Sequence, residues 1–410
     1  MANLRKDKKG RGLHTGEQQR KDGIYLYRYT DSMGNRKTIY AGDLPKLRQK
    51  EKSILRNVMD GIRTDEEAQK LTLNDLFYMY IDTRMIADST RLQYRNTWRV
   101  RVQDDIGREK VTQIRPATIK HFYAELDRAS YHHNTIHIIH MLIYSALDIA
   151  VENDIIRKNP ASKALYAKCG EKGENKTALT LEQQEKLFTF LKNSNCYNIY
   201  IPMFTILLET GLRCGEFVGL TWNDVSLEEK TLSVNHQLLY HNFGDGCTLY
   251  AAPPKTESGI RIIPMNDKVL QAFKQQKELN ACLNRTCIDV IDGYSDFIFL
   301  TRKGHPNTPV CMNRILYSIS AAYNRVETRN AKRECRETEL LPKFSMHDLR
   351  HTYCTNKVRE GMNLKILQYL MGHKNVITTM DVYNHIDNIE DIRNEILKDS
   401  LSQKGTVEVQ

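Results

Sequence analysis

Between Ser345 and His385 the chain reads SMHDLRHTYCTNKVREGMNLKILQYLMGHKNVITTMDVYNH, and His347, Arg350, His373 and Tyr383 fall close together within it. Side chains of these types suit one anionic group. A phosphodiester under attack gathers negative charge on its non-bridging oxygens, and a guanidinium offers a planar fork of donors that matches two of them. A phenol with a pKa of about 10 is mostly protonated at neutral pH, so Tyr383 needs a nearby base or strongly positive surroundings before it can attack. The histidines could supply both, and the stretch reads as a phosphate site.

The local pattern says how these groups are held. Ser345 is a candidate N-cap, and His347, Arg350 and His351 then lie at i, i+3 and i+4 on one helix face. Gly361 ends that helix. Asn363 caps a second one, in which Leu364, Leu367, Leu370 and Met371 recur at helical spacing, with Gly372 at its C-terminus. His373 therefore leaves that helix at a fixed angle, and Thr378 or Thr379 caps a third short helix carrying Tyr383. A zinc site on His347 and His351 is the competing reading. Against it, the intervening Asp348-Leu349-Arg350 lacks the glutamate of H-E-x-x-H and places a fixed positive charge beside the cation.

Two more candidates lie upstream. Glu209-Thr210-Gly211-Leu212-Arg213-Cys214-Gly215-Glu216 puts Arg213 after a glycine turn at the start of a helix, where backbone amides also favour an anion. Glu216 is expected to orient Arg213 through a charge-assisted bond and not to act as an acid. Val225 to Leu239, Cys247 to Ala252 and Gly259 to Pro264 read as a three-stranded antiparallel sheet. Lys255 lies on the loop between the last two of these segments, and Lys230 is its rival for a lysine that reaches into the site.

The 410 residues suffice for two or three domains. The net charge of +10 is uneven: residues 1–65 carry 16 Lys and Arg against 8 Asp and Glu, residues 66–170 a net +2, and the remainder is balanced. The N-terminal sixth is thus a candidate for binding a polyanion. No apolar run of membrane-spanning length and no apolar signal core stand out, so neither insertion nor export is expected, and the cytoplasm is the expected location. The 9 cysteines include no C-x-x-C pair, which fits a reduced compartment.

Along the chain, residues 1–22 are expected to order only on a partner. Ile24 to Thr30 and Arg36 to Tyr40 predict a hairpin with interleaved Tyr and Arg or Lys, and Leu44 to Met59 a helix. Residues 66–168 read as all-helical. There Ser89 or Thr90 caps RLQYRNTWRVRV, whose Arg91, Arg95, Arg99 and Arg101 beside Tyr94 and Trp98 suit a surface that follows phosphates. Thr135 to Ile149 predicts a further helix, with His132, His133, His137 and His140 as core or groove-facing residues. A polar linker at 169–177 precedes a capping box at Thr180-Leu181-Glu182-Gln183. Asp296 to Arg302 is a short apolar segment, residues 313–325 read as helical, and Ile389, Ile392, Ile396, Leu397 and Leu401 mark a last amphipathic helix.

The motif H-x-x-R, then L-M-G-H, then a tyrosine ten residues on, together with the upstream T-G-L-R-x-G-E, resembles the signature of the tyrosine recombinases, the lambda-integrase-like family of DNA strand-exchange enzymes. The likeness implies a multidomain fold, mainly α with small β-sheets. Its parts would be an α+β arm-binding module (1–65), an all-helical core-binding domain (66–168), a mixed α/β catalytic domain (178–386), and a C-terminal helix and tail (387–410). The basic N-terminal hairpin resembles the arm-binding domain of integrases from conjugative transposons. In the implied mechanism Arg213 and Arg350 clamp the scissile phosphate, His373 bonds a non-bridging oxygen, Lys255 protonates the leaving 5′-hydroxyl, His347 assists as base and Tyr383 attacks. The product is a 3′-phosphotyrosine, with no cofactor and no metal required. Implied partners are double-stranded DNA at core and arm-type sites, three further copies of the chain in a homotetramer, and accessory excision or DNA-bending proteins. A non-catalytic DNA-binding regulator and a type IB-like topoisomerase are the alternatives.

Overall fold

The computed structural model describes residues 5–31, 34–63, 65–165, 169–171, 178–242 and 246–375. Tyr383, its expected helix and the last amphipathic helix lie outside them. The chain divides into two compact units, Met1–Glu174 and Asn175–Gln410.

The first unit opens with a three-stranded antiparallel sheet of β1 (Glu17–Gln19), β2 (Tyr25–Thr30) and β3 (Arg36–Ala41), followed by α1 (Leu44–Met59). The hairpin is the expected one, with Tyr27 opposite Ile39 and Arg28 opposite Thr38. Strand β1 was not expected. It is fixed because Glu17 is fully buried and accepts from both Arg48 Nε (3.0 Å) and Nη2 (3.2 Å) of α1, a bidentate pair across the module. Tyr25, Tyr27, Leu44 and Leu47 fill the small core between sheet and helix. Asp43 caps α1 by accepting from the Lys46 amide.

The all-helical segment comprises α2 (Glu66–Lys70), α3 (Leu73–Thr83), α4 (Asp88–Arg101), α5 (Pro116–Arg128) and α6 (His133–Glu152). Helix α6 is long and apolar enough to cross a membrane by length and composition, contrary to the reading of the sequence. Its Ile136, Ile139, Leu142, Ile143, Ala146, Leu147 and Ala150 are instead buried in the core of this unit. Ala87 caps α4 without a side-chain bond, not Ser89 or Thr90, which lie inside its first turn. Trp98 is also not on a phosphate-tracking surface. It is fully buried, stacks on Phe77 at 3.9 Å and donates to Asn74 Oδ1. Three of the four arginines beside it serve the fold: Arg91 donates to the Ile81 carbonyl, Arg95 pairs with Asp82 and Arg101 lies over the Tyr131 ring. Two histidines of α6 serve the fold, while His137 is exposed. His140 bonds the Tyr123 hydroxyl at 2.9 Å and His133 the Cys169 carbonyl at 2.6 Å.

The second unit begins with α7 (Leu181–Asn193), opened by the expected Thr180–Gln183 capping box, then α8 (Ile201–Thr210) and α9 (Cys214–Gly219). Its β structure departs from one three-stranded sheet. Strands β4 (Val225–Ser226), β5 (Thr231–Val234) and β8 (Arg261–Pro264) form one sheet, and β6 (Gln237–Asn242) with β7 (Cys247–Ala252) a separate hairpin. The break falls at Asn235-His236, where His236 turns inward to bond the Gly219 carbonyl at 2.7 Å and stack on Tyr294. That diversion ends the pairing of β5 and lets the next six residues pair elsewhere. Helices α10 (Asp267–Cys282), α11 (Pro309–Glu334), α12 (Met346–Arg359) and α13 (Leu364–Met371) complete the unit. The apolar segment Phe297–Leu300 is buried between them in a core that includes Phe204, Phe217, Phe273 and Leu349.

Candidate active site

The site is built from the ends of four helices, α8, α9, α12 and α13. Helix α8 stops at Gly211, whose φ of 61° is left-handed and whose Cβ position would lie 2.2 Å from the Tyr353 ring, so only glycine turns the chain there. Two residues on, Arg213 is the N-cap of α9, and Glu216 accepts from both its backbone N–H (2.9 Å) and its Nη1 (2.7 Å). Ser345 starts α12 with a reciprocal bond to Asp348, which sets Arg350 one turn in. Asn363 caps α13, and Gly372 ends it in the left-handed region, releasing His373.

Of the six sequence candidates, Arg350 and His373 bond each other directly, and Arg213 joins them through the Gly372 carbonyl. Arg350 Nη1 donates to the Gly211 carbonyl (2.7 Å), and its Nη2 donates to the Met371 carbonyl and to His373 Nε2 (2.9 Å). Arg213 Nη2 donates to the Gly372 carbonyl at 2.7 Å. Both guanidinium groups therefore hang on the carbonyls that close α8 and α13. His347 lies exposed on the first turn of α12, its ring edge-on to His351 at 4.5 Å. The pair gathers no third metal ligand: among the described residues, a set of three within reach of one ion occurs at His14, Glu17 and Glu51, where Arg48 already occupies Glu17. Lys255 is exposed on the connection between β7 and β8, which are not paired with each other, so it sits between two sheets and not at the tip of a hairpin. That connection abuts the site, since a Cβ on Gly372 would lie 3.0 Å from the Ser258 carbonyl. Lys230 pairs with Asp267 at 3.0 Å.

One residue of the site escaped sequence reasoning. Arg261, at the start of β8, has a fully buried side chain that donates through Nη1 (3.2 Å) and Nη2 (2.9 Å) to Glu216 and through Nε to the Leu370 carbonyl. A lone arginine in a strand carries no signal, and its partner is 45 residues away.

The electrostatics follow. Burial alone would raise the Glu216 carboxyl, but Arg261 and Arg213 outweigh it and bring it down to about 2. Arg350 is held below its ordinary value by burial first and then by Arg213. Burial, then Arg350 and Arg213, bring His373 down to about 4, so its imidazole is neutral at pH 7 and Nε2 accepts the Arg350 proton. Three guanidinium groups against one carboxylate leave a net charge of +2 around the turn, an arrangement that favours an anion with several oxygens.

Likeness to known proteins defines the family. The phage integrase family matches residues 177–390, and the DNA-binding domain of Tn916 integrase matches residues 1–58. The chain belongs to the phage integrase family, the tyrosine recombinases. It is 35% identical to the transposase from transposon Tn1545 of Streptococcus agalactiae and to that from transposon Tn916 of Enterococcus faecalis, in each case over 94% of both chains. Among solved structures it resembles the Tn1549 transposon integrase in complex with transposon right end DNA, with a TM-score of 0.68 and 31% identity over 80% of this chain and 99% of that one. A lambda integrase dimer bound to a core site shares the fold at a TM-score of 0.51 and 15% identity, covering 91% of this chain and 95% of that one. This chain is accordingly an enzyme, a site-specific DNA recombinase.

Proposed function

We propose that this recombinase cuts and rejoins the ends of a mobile element, with Arg213 and Arg350 clamping the scissile phosphate and Tyr383 as nucleophile. The supporting observation is that Arg213, Arg350 and His373 converge on the closing turns of α8 and α13 with a net positive charge. When a phosphate enters, its oxygens replace the Gly211, Met371 and Gly372 carbonyls as acceptors. His373, relieved of the Arg350 proton, then turns from acceptor to donor for a non-bridging oxygen. Tyr383 Oη attacks phosphorus and the bond to the 5′ oxygen breaks. His347 takes the phenolic proton and the Lys255 ammonium protonates the leaving oxygen, giving a 3′-phosphotyrosine. The Lys230–Asp267 pair favours Lys255 for that role.

The N-terminal module supplies a second DNA contact. In its sheet Gln18, Arg28, Thr30, Arg36, Thr38 and Tyr40 alternate with the core-facing residues and are exposed, a polar and basic face of the kind that reads a groove. We assign it to arm-type sites, residues 66–168 to the core site and residues 178–386 to catalysis. The resemblance to the family supports a homotetramer on two synapsed duplexes, accessory excision or DNA-bending proteins, and action in the cytoplasm. A covalent-trapping assay on nicked core-site duplexes tests the reading. Wild type gives a denaturant-stable protein–DNA adduct that persists in chelator, and Tyr383→Phe gives none while binding DNA normally. An adduct with the phenylalanine variant would show the nucleophile to be another residue.

A further inference from the structure

Arg261 is a buried charge of the site that has no part in the mechanism above. Its guanidinium makes four hydrogen bonds to three partners at once. Nη1 and Nη2 hold Glu216, which in turn holds Arg213. Nε holds the Leu370 carbonyl, two residues before the turn that releases His373. Nη1 also donates at 2.9 Å to the Gly259 carbonyl, the last residue of the tight turn that follows Lys255. That turn has little freedom of its own. The Gly259 amide donates to the Thr256 carbonyl at 2.8 Å, and a Cβ on Gly259 would lie 2.5 Å from the Pro254 side chain. One residue beyond Arg261, the Tyr369 hydroxyl accepts from the Ile262 amide (3.1 Å) and donates to its carbonyl (3.3 Å), a second fastening of β8 to α13.

We infer that Arg261 is a positioning residue that fixes the Lys255 turn in register with the Arg213–Glu216 pair and the His373 turn, so that the general acid meets the leaving oxygen only when the arginine clamp is assembled. The physical reason is geometric. Lys255 is exposed on a segment that no sheet partner restrains, and a flexible ammonium there samples many positions. Fastening the base of its turn to the same carboxylate that orients Arg213 converts a mobile loop into part of the clamp. Lysine cannot replace Arg261, because one ammonium cannot span Glu216, Leu370 and Gly259 in a fixed planar array.

The inference rests on Lys255 being the general acid, and a substrate with sulfur in place of the bridging 5′ oxygen separates the two claims. Its P–S bond breaks to a thiolate that leaves without taking a proton, so a defect in acid catalysis disappears while a defect in the phosphate clamp does not. Cleavage is measured as the ratio of sulfur-substrate to oxygen-substrate rate on one preparation, a ratio that is insensitive to the fraction of protein folded. Lys255→Ala should raise this ratio at least a hundredfold over wild type and Arg261→Lys at least tenfold. Arg213→Lys should leave it within about threefold, because losing the clamp slows both substrates. Tyr369→Phe, a milder change at a half-exposed hydroxyl, should raise the ratio several-fold and carries the test should the Arg261 variant not fold. An unchanged ratio for Lys255→Ala overturns the general-acid assignment. A raised ratio for Lys255→Ala with unchanged ratios for Arg261→Lys and Tyr369→Phe overturns the positioning role alone.

Discussion

Replacing Glu216 by glutamine changes one oxygen to an amide and tests the electrostatic account of the site. The carboxylate is buried and accepts from Arg213 at 2.9 and 2.7 Å and from Arg261 at 3.2 and 2.9 Å. A carboxamide keeps one acceptor and turns an N–H₂ toward arginine donors, while the net charge of the cluster rises from +2 to +3. The depression of the carboxyl from 4.5 to about 2 corresponds to roughly 3 kcal/mol. Breaking a buried ion pair costs about 3–5 kcal/mol, which is consistent. In a unit of this size that lowers the melting temperature by about 6–12 °C. Because the folded-state value lies below the unfolded one, the contribution is complete above about pH 4.5 and is lost as pH falls toward 2. Thermal unfolding of the full chain should therefore show a large gap between wild type and Glu216→Gln at pH 7 that narrows in acid. Core-site duplex should recover part of the gap, since the bound phosphate restores the missing negative charge. A gap under about 1 kcal/mol at pH 7, or one that does not depend on pH, would refute the reasoning.

Arg213→Lys and Arg350→Lys should each lower single-turnover cleavage by about 10²–10³-fold, the cost of losing one preorganised donor to the developing charge; near-normal rates would remove the clamp. His373 accepts from Arg350 and, in the proposed mechanism, donates to phosphate instead, so duplex binding should raise its pKa from about 4. Calorimetry in buffers of different ionisation enthalpy should show uptake of up to one proton between about pH 4 and 6.5, which His373→Asn abolishes. Deleting residues 1–65 should preserve cleavage of a short core duplex, abolish binding to the second class of site, and flatten the dependence of total DNA affinity on salt. Equal loss of both activities would place those residues within the catalytic fold.

What could be read from the sequence was what local chemistry dictates. The Ser345 and Asn363 caps, the Gly372 terminator and the Thr180 capping box each depend on neighbours within four residues, and the structure has them as expected. Glu216 was legible as the partner of Arg213 for the same reason. What the sequence hid depends on distant contacts. The periodicity of Arg91 to Arg101 suggested an outward basic face, yet Trp98 turns inward because Phe77 and Asn74 on another helix offer it a stacking plane and an acceptor. The division of the expected single sheet turns on one histidine finding the Gly219 carbonyl. Arg261 is the extreme case, a strand residue whose every partner lies in another element or across a turn.

The two arginines of the proposed clamp, Arg350 buried and Arg213 partly exposed, share a feature that offsets their positive charge without DNA. Besides Glu216 and His373, their acceptors are the carbonyls of Gly211, Met371 and Gly372, which close helices α8 and α13. The last carbonyls of a helix have no partner within it and carry the negative end of its dipole. Each helix end thus stabilises a guanidinium with partial charge, and each guanidinium satisfies a carbonyl that would otherwise lack a donor. A carbonyl carries only part of a unit charge, whereas a phosphodiester brings a whole one that grows in the transition state. On the proposed reading, exchanging carbonyl for phosphate strengthens the guanidinium contacts, and more so as the reaction proceeds, which is the condition for binding energy to appear in the rate rather than only in the affinity.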